Sequence, residues 1–195
     1  MANNQNPVYT DILRATGDYL DSEIALFERE ARLREADRHE LLLRKGEVAR
    51  SVCYLLEGAV RQYDVSSESE YNVIDLHLAG DWFFNYESLI AQRPSGLFME
   101  AYTDCRFIEI NLETIHYLTG KSLAFLQLNK ILEGTFKRMR FFDQSMTPVE
   151  KYRYLLDNRP QIIQVFPLKI IASYLKITPE TLSRARNAVA NGTIS

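Results

Sequence analysis

The residues best suited to chemistry lie near the end of the chain. Glu180, Ser183, Arg184 and Asn187 occupy a stretch that reads as a helix, and all four point away from an apolar face made by Leu182, Ala185 and Val189. These side chains are of the types that read base edges in a DNA groove. Arg pairs with guanine, Glu accepts from cytosine, and Asn pairs with adenine. Lys169, Lys176 and Arg186 fall at the edges of the same unit, where cations could meet backbone phosphates.

Such a reading helix must be held by a second one. Leu168–Lys176 supplies it, with Ile171 and Leu175 one turn apart and the small Ala172 where two helices must approach. Ile177 plugs the turn. Thr178 suits an N-cap and Pro179 the first helical position. Lys176 stands where such turns often have Gly, so a left-handed backbone there would cost about 1 kcal/mol. Together these features predict a helix-turn-helix.

The charge distribution agrees. The chain of 195 residues has a formal net charge of −3, yet from Thr147 onward seven basic residues face only three acidic ones. A basic end on an acidic body is what a nucleic-acid-binding module carried by another domain looks like.

Upstream, a short helix is expected from about Pro7 to Leu20 and a helix or turn around Ser22 to Glu30. From about Ala31 to Ile110 the pattern becomes short strands bounded by Gly, Asp, Ser and Pro. Ile74, Leu76 and Leu78 alternate with Asp75 and His77, the period of a half-buried strand. Ser66–Glu70 reads as a hairpin loop, and the repeated short strands predict a β-roll or barrel. Asn111 can cap a helix through Leu118, with Gly120 breaking the chain. Ser122 to Gln144 then reads as one long helix. Phe125, Leu128, Leu132, Thr135, Met139 and Phe142 are spaced 3, 4, 3, 4, 3 along it, the a/d seam of a dimerising coiled coil or the face of a helix packed on its own domain; a second apolar stripe, Ala124 and Ile131, favours a helix that meets both the β-roll and a partner. Thr147-Pro148 opens another helix, ending near Asn158-Arg159-Pro160.

Cys53 and Cys105 read as small buried hydrophobes, and two thiols cannot hold a four-thiolate cluster within one chain. His39, His77 and His116 lack metal-ligand spacing. A metal-dependent enzyme on a similar barrel would need inward His and Glu clusters, and only His77 lies in a central strand, so no enzyme is expected. No apolar run reaches membrane-span length. The polar N-terminus lacks a signal-peptide plan, which places the protein in the cytoplasm with no membrane partner.

The sequence resembles the Crp/Fnr family of bacterial transcription regulators over nearly its whole length. The resemblance rests on three β-roll glycines: Gly46 in Leu43-Arg44-Lys45-Gly46-Glu47, Gly58 in Leu55-Leu56-Glu57-Gly58-Ala59, and Gly80 in Gly80-Asp81-Trp82-Phe83. It rests also on Ile171–Leu175 with Thr178–Arg184, and on the order of the parts. It implies an α+β chain. A cyclic-nucleotide-binding-like double-stranded β-roll with flanking helices would span 1–118, a long dimerisation helix 119–146, and a helix-turn-helix domain 147–195. Only five residues follow Ala190, so the wing after the reading helix would be truncated. The resemblance further implies a homodimer binding palindromic DNA, with Glu180 and Arg184 at base-reading positions and Thr181 at a phosphate. RNA polymerase is a further partner open to such a regulator. Pro179 replaces a residue that is often Arg or another polar type, so the best-known target sequence does not transfer.

In the same family an acidic residue after the third glycine and an Arg-Ser or Arg-Thr pair hold a cyclic nucleotide. Here the effector pocket would comprise Gly80, Asp81, Arg93, Ser95 and Gly96, with Asp81 as the acid. The pair falls on Ser95-Gly96, and without its bidentate Arg a buried phosphate loses its strongest contact. Cyclic AMP is therefore not expected as effector, and no cofactor is identified. The alternative to a DNA-binding regulator is a ligand-binding signalling module with a vestigial DNA-binding end.

Overall fold

The computed structural model describes residues 7–67, 70–133 and 146–192. Two helices, α1 (Pro7–Arg14) and α2 (Asp21–Glu30), lead into eight strands. These are β1 (Arg32–Ala36), β2 (Leu41–Leu43), β3 (Ser51–Glu57), β4 (Ala59–Ser67), β5 (Glu70–Leu78), β6 (Trp82–Phe83), β7 (Phe98–Ala101) and β8 (Cys105–Asn111). A short helix, α3 (Tyr86–Ala91), lies between β6 and β7, and α4 (Leu112–Lys121) follows β8. A 3-10 helix covers Leu123–Asn129. The C-terminal part holds α5 (Pro148–Asn158), α6 (Pro160–Val165), α7 (Leu168–Tyr174) and α8 (Pro179–Ala190).

The strands form two four-stranded sheets, ordered β1-β8-β3-β6 and β2-β7-β4-β5, with every pair antiparallel. A first core joins the sheets to α1, α2 and α4 through Leu13, Phe27, Leu55, Phe83, Ile108 and Leu118. The expected β-roll is thus built from two antiparallel layers. The hairpin strands run further than expected, to Ser67 and from Glu70, so the loop is shorter than Ser66–Glu70.

All three family-type glycines have a left-handed backbone, φ +92° at Gly46, +93° at Gly58 and +96° at Gly80. Gly58 is also crowded: a Cβ there would lie 2.3 Å from the Asp104 carbonyl oxygen and 2.8 Å from Cys105 Sγ. Only a residue without a side chain meets both demands.

β5 departs from the half-buried expectation in an instructive way. Val73 and Leu76 belong to a second core, made with Tyr152, Leu155, Ile162, Phe166, Ile171 and Leu182 of the C-terminal helices. Asp75 and His77 of the strand are buried as well. His77 is 1% exposed, packs on Phe83 and shares a 3.0 Å hydrogen bond with Gln62, whose amide also donates to the Phe84 carbonyl. Val73, Leu76 and Leu78 therefore face the C-terminal helices, whereas His77 faces the roll interior. An antiparallel sheet covered on both sides loses the clean alternation that a solvated face would give.

Helix boundaries follow their caps. Asn111 Oδ1 accepts from Thr114 N at 2.7 Å, as expected, but α4 runs through Gly120 to Lys121. The break falls at Ser122, which is extended and accepts from Ala124 N to open the 3-10 helix. The predicted uninterrupted helix from Ser122 is therefore replaced over Leu123–Asn129 by 3-10 winding. α1 likewise stops at Arg14, short of Leu20. Thr147 and Glu150 form a reciprocal capping box on α5.

The seam residues are placed differently from expectation. Phe125 and Leu128 are 1% and 6% exposed, sunk in the first core, and Leu132 packs against it half-buried. Their surface is used by the chain's own roll, which leaves Phe125 and Leu128 nothing to offer a partner. Leu123 and Leu126 point outward instead, 74% and 51% exposed. Thr135, Met139 and Phe142 lie outside the described residues.

Candidate nucleic-acid interface and effector pocket

α7 and α8 are joined by the tight turn 175–178. Ile171, Ala172 and Leu175 on the first side and Leu182 and Ala185 on the second are at most 2% exposed. Ile177 N donates to the Ala172 carbonyl at 3.0 Å, closing the turn over the small residue. Lys176 does take the left-handed backbone, φ +57°. Thr178 Oγ1 accepts from Thr181 N at 3.2 Å and starts α8, with Pro179 at its first position.

The apolar stripe of α8 is thereby consumed, and Glu180, Ser183, Arg184, Arg186 and Asn187 are all exposed. Arg184 donates to Thr181 Oγ1 at 3.2 Å, so Thr178, Thr181 and Arg184 form one linked row. Glu180 is held below the ordinary carboxylate range by hydrogen bonds from its own backbone N–H and from Thr178 at the helix start. It is an anion at neutral pH, an acceptor on the exposed face. Lys169 is exposed on α7.

Lys176 is engaged elsewhere than expected. Its Nζ donates to Asn72 Oδ1 and to the Val73 carbonyl, both at 2.6 Å, on the roll. Burial, reinforced by the neighbouring charge of Lys151, pulls its pKa down. In this arrangement its amine ties the turn to β5, while the residue as a whole stays exposed. An open cavity of about 740 Å³ remains at the junction, bounded by Arg61, Asn72 and Val73 on one side and by Lys169, Ile170 and Ile177 on the other.

The effector-pocket residues lie in two places with separate partners. Gly80 and Asp81 form the β5–β6 turn, where Gly80 N donates to the Leu55 carbonyl and the Asp81 carboxylate accepts from Leu78 N at 2.9 Å. The same carboxylate pairs with Arg159, which stands between α5 and α6. Ser95 is buried. Its Oγ accepts from Asn85 Nδ2 and Leu97 N and donates to the Leu97 carbonyl. Arg93 is exposed, as is Gly96, and the Arg93 carbonyl accepts from Ser88 Oγ at 2.6 Å.

A buried ionic cluster that sequence reasoning missed sits on β4 and β7. Glu100, 4% exposed, accepts from Arg61 Nη2 with both oxygens, from Tyr63 OH at 2.9 Å, and shares 2.8 Å with His39 Nδ1. Burial opposes its ionisation, but the hydrogen bonds from His39, Arg61 and Tyr63 prevail and hold the carboxyl below its ordinary value. Arg61 also lies over the rings of Tyr63 and Tyr102. The pairing of Arg61 with Glu100 follows from strand register, which places them directly opposite. No local sequence pattern discloses that register.

Residues 33–121 match the family model described as the cyclic nucleotide-binding domain. No curated protein sequence matches the chain. Among solved structures, FixK2 from Bradyrhizobium japonicum aligns with a TM-score of 0.65 at 20% identity, covering 84% of this chain and 86% of that one. The c-di-GMP responsive global regulator CLP of Xanthomonas campestris aligns at 0.59 and 17%, covering 88% and 92%. The catabolite activator protein of Thermus thermophilus aligns at 0.52 and 14%, covering 89% and 84%. The chain is thus similar over residues 33–121 to the cyclic nucleotide-binding domain, and its antiparallel β-roll with C-terminal helices has a fold like that of these three proteins.

Proposed function

We propose that the chain is a dimeric, sequence-specific DNA-binding transcription regulator of Crp/Fnr type, in which α7 and α8 form the helix-turn-helix. The observation that carries this reading is the face of α8. A capped, 12-residue helix presents Glu180, Ser183, Arg184 and Asn187 to solvent while Leu182 and Ala185 anchor its back. An exposed row of base-reading types on a rigid scaffold is what major-groove recognition requires. The basic balance of the C-terminal part and the overall fold support it. Self-association through the segment after α4 draws support from the exposed Leu123 and Leu126.

Cyclic AMP is not the effector in this reading. Asp81 is occupied by Arg159, Ser95 by Asn85 and Leu97, and the Arg93 guanidinium lies at the surface. Among the described residues no cation pairs with Ser95, and a phosphate without charge-assisted donors is costly to desolvate. Selection of duplexes from a random pool by the full chain, with and without cell extract, tests the DNA reading. A palindrome with half-sites about one helical turn apart is expected. Enrichment of no duplex in either condition refutes it.

A further inference from the structure

The C-terminal helices pack directly on the roll. They are gripped at two points along one strand and the turn that follows it. At the first, Arg159 Nη1 donates to the Leu76 carbonyl at 3.0 Å while Nη2 pairs with the Asp81 carboxylate. The two side chains are only 16% and 24% exposed. At the second, Val73 N donates to Ser173 Oγ at 3.0 Å, and Lys176 Nζ donates to the Val73 carbonyl and to Asn72. β5 is the outermost strand of its sheet, so Ser173 and Lys176 complete backbone groups that the ladder leaves open. Between the grips lies the second core, shared by Val73 and Leu76 with Phe166 and Ile171. Phe166 also packs on Tyr102, centroids 4.7 Å apart.

Asp81 is well suited to be an anchor. Its backbone N–H is bonded to the Leu78 carbonyl and its carbonyl to Leu55 N, and its carboxylate takes Leu78 N as well. The turn is thus fixed to the roll before Arg159 arrives. Arg159 is equally fixed on its own side, where its backbone N–H closes α5 on the Leu155 carbonyl just ahead of Pro160.

We infer that Asp81 and Arg159 are positioning residues for DNA recognition: their ion pair sets the pose of α8 on the roll, and any ligand that takes up the Asp81 carboxylate must do so at the expense of Arg159 and so loosens the C-terminal helices. The consequence for DNA rests on the function proposed above, whereas the docking itself does not. The coupling follows from one carboxylate serving two places. It belongs to the turn of the roll expected to meet an effector, and it is spent on the unit that carries the reading helix. The chemistry that would compete is that of hydrogen-bond donors or a cation able to replace a guanidinium. Release of this grip leaves the row on α8 intact but frees its direction.

The test uses the full chain and three variants. Asp81→Asn keeps an acceptor for Leu78 N and removes the charge. Arg159→Met keeps apolar bulk, and the third variant carries both changes. Backbone hydrogen exchange is measured without DNA. The inference expects amides of α7 and α8 to exchange at least about tenfold faster in each single variant, with β3 and β8 unchanged, and the double variant to be no faster than the singles. Arg159→Lys, which keeps the charge, should fall between wild type and Arg159→Met. Unchanged exchange in α7 and α8 overturns the inference. So does equal acceleration of roll and helices, because the pair then supports folding generally and directs nothing. On a duplex selected by the wild-type chain, both single variants should lose affinity by a similar factor and tolerate altered half-site spacing. Retained spacing preference overturns the positioning role. If the wild-type chain selects no duplex, the DNA reading fails, while the exchange data still decide the docking.

Discussion

Replacing Gly58 with Ala probes the join between the two sheets, and its size can be worked from two separate terms. The first is backbone strain. Gly58 sits at φ +93° between β3 and β4, and holding a residue with a Cβ in such a region costs roughly 1–3 kcal/mol. The second is collision. The new Cβ would meet the Asp104 carbonyl oxygen at 2.3 Å, Cys105 Sγ at 2.8 Å and Cys105 Cα at 3.0 Å. Two of these are backbone atoms of the turn into β8 and cannot swing aside, so about 1–3 kcal/mol of overpacking is added. A total of about 2–6 kcal/mol lowers the melting temperature of a chain this size by roughly 4–24 °C. Gly46→Ala separates the terms. Its φ is +92°, but nothing lies within 4 Å of the added atom, so only the strain of roughly 1–3 kcal/mol remains. Melting of both variants followed by circular dichroism decides the matter. Equal melting temperatures for the two would refute the collision argument.

Glu100 should make stability fall in acid. Its folded-state pKa is depressed, so its contribution is complete above the unfolded value of about 4.3 and is lost as pH drops through the folded value. The gap in urea midpoint between wild type and Glu100→Gln should be open at pH 7 and narrow steadily as the pH falls below about 4.3; a gap that does not narrow in acid contradicts the assignment. Leu123→Glu with Leu126→Glu should dissociate the proposed dimer and leave the melting temperature within a few degrees. Phe125→Ala should instead cost about 3–5 kcal/mol by opening a cavity in the roll core. Light scattering beside thermal melts distinguishes the two, and a dimer that survives the double change places the interface elsewhere.

Much of the local structure was legible because its signals are local. Thr147, Thr178 and Asn111 cap the helices that the sequence predicts, and Lys176 adopts the left-handed turn that its position demanded. Periodicity marked apolar faces, missed the burial of Asp75 and His77, and was silent about what buries either face. The 3, 4 spacing that begins at Phe125 is equally compatible with a partner helix and with the chain's own roll, and the structure gives Phe125 and Leu128 to the roll. The alternation in β5 likewise marks two faces without saying that the apolar one meets the C-terminal helices. Ion pairs between distant positions left no trace at all. Asp81 looks like an effector ligand until Arg159, 78 residues away, is brought beside it, and Arg61 finds Glu100 only through strand register. Helix α6, opened by Pro160, was hidden because a Pro signals an end as readily as a beginning.

The central claim is that α8 reads bases while cations around it hold the phosphates. It is tested most directly by titrating a selected duplex and a scrambled one with wild type, Arg184→Ala and Lys169→Ala at two salt concentrations. Arg184→Ala should lose roughly 1–3 kcal/mol of discrimination between the duplexes, because a bidentate contact to a base edge is removed. Lys169→Ala should weaken both duplexes by the same factor and lower the salt slope by about one. Arg184→Ala that discriminates as well as wild type, with affinity lost equally on both duplexes, would contradict base reading by α8.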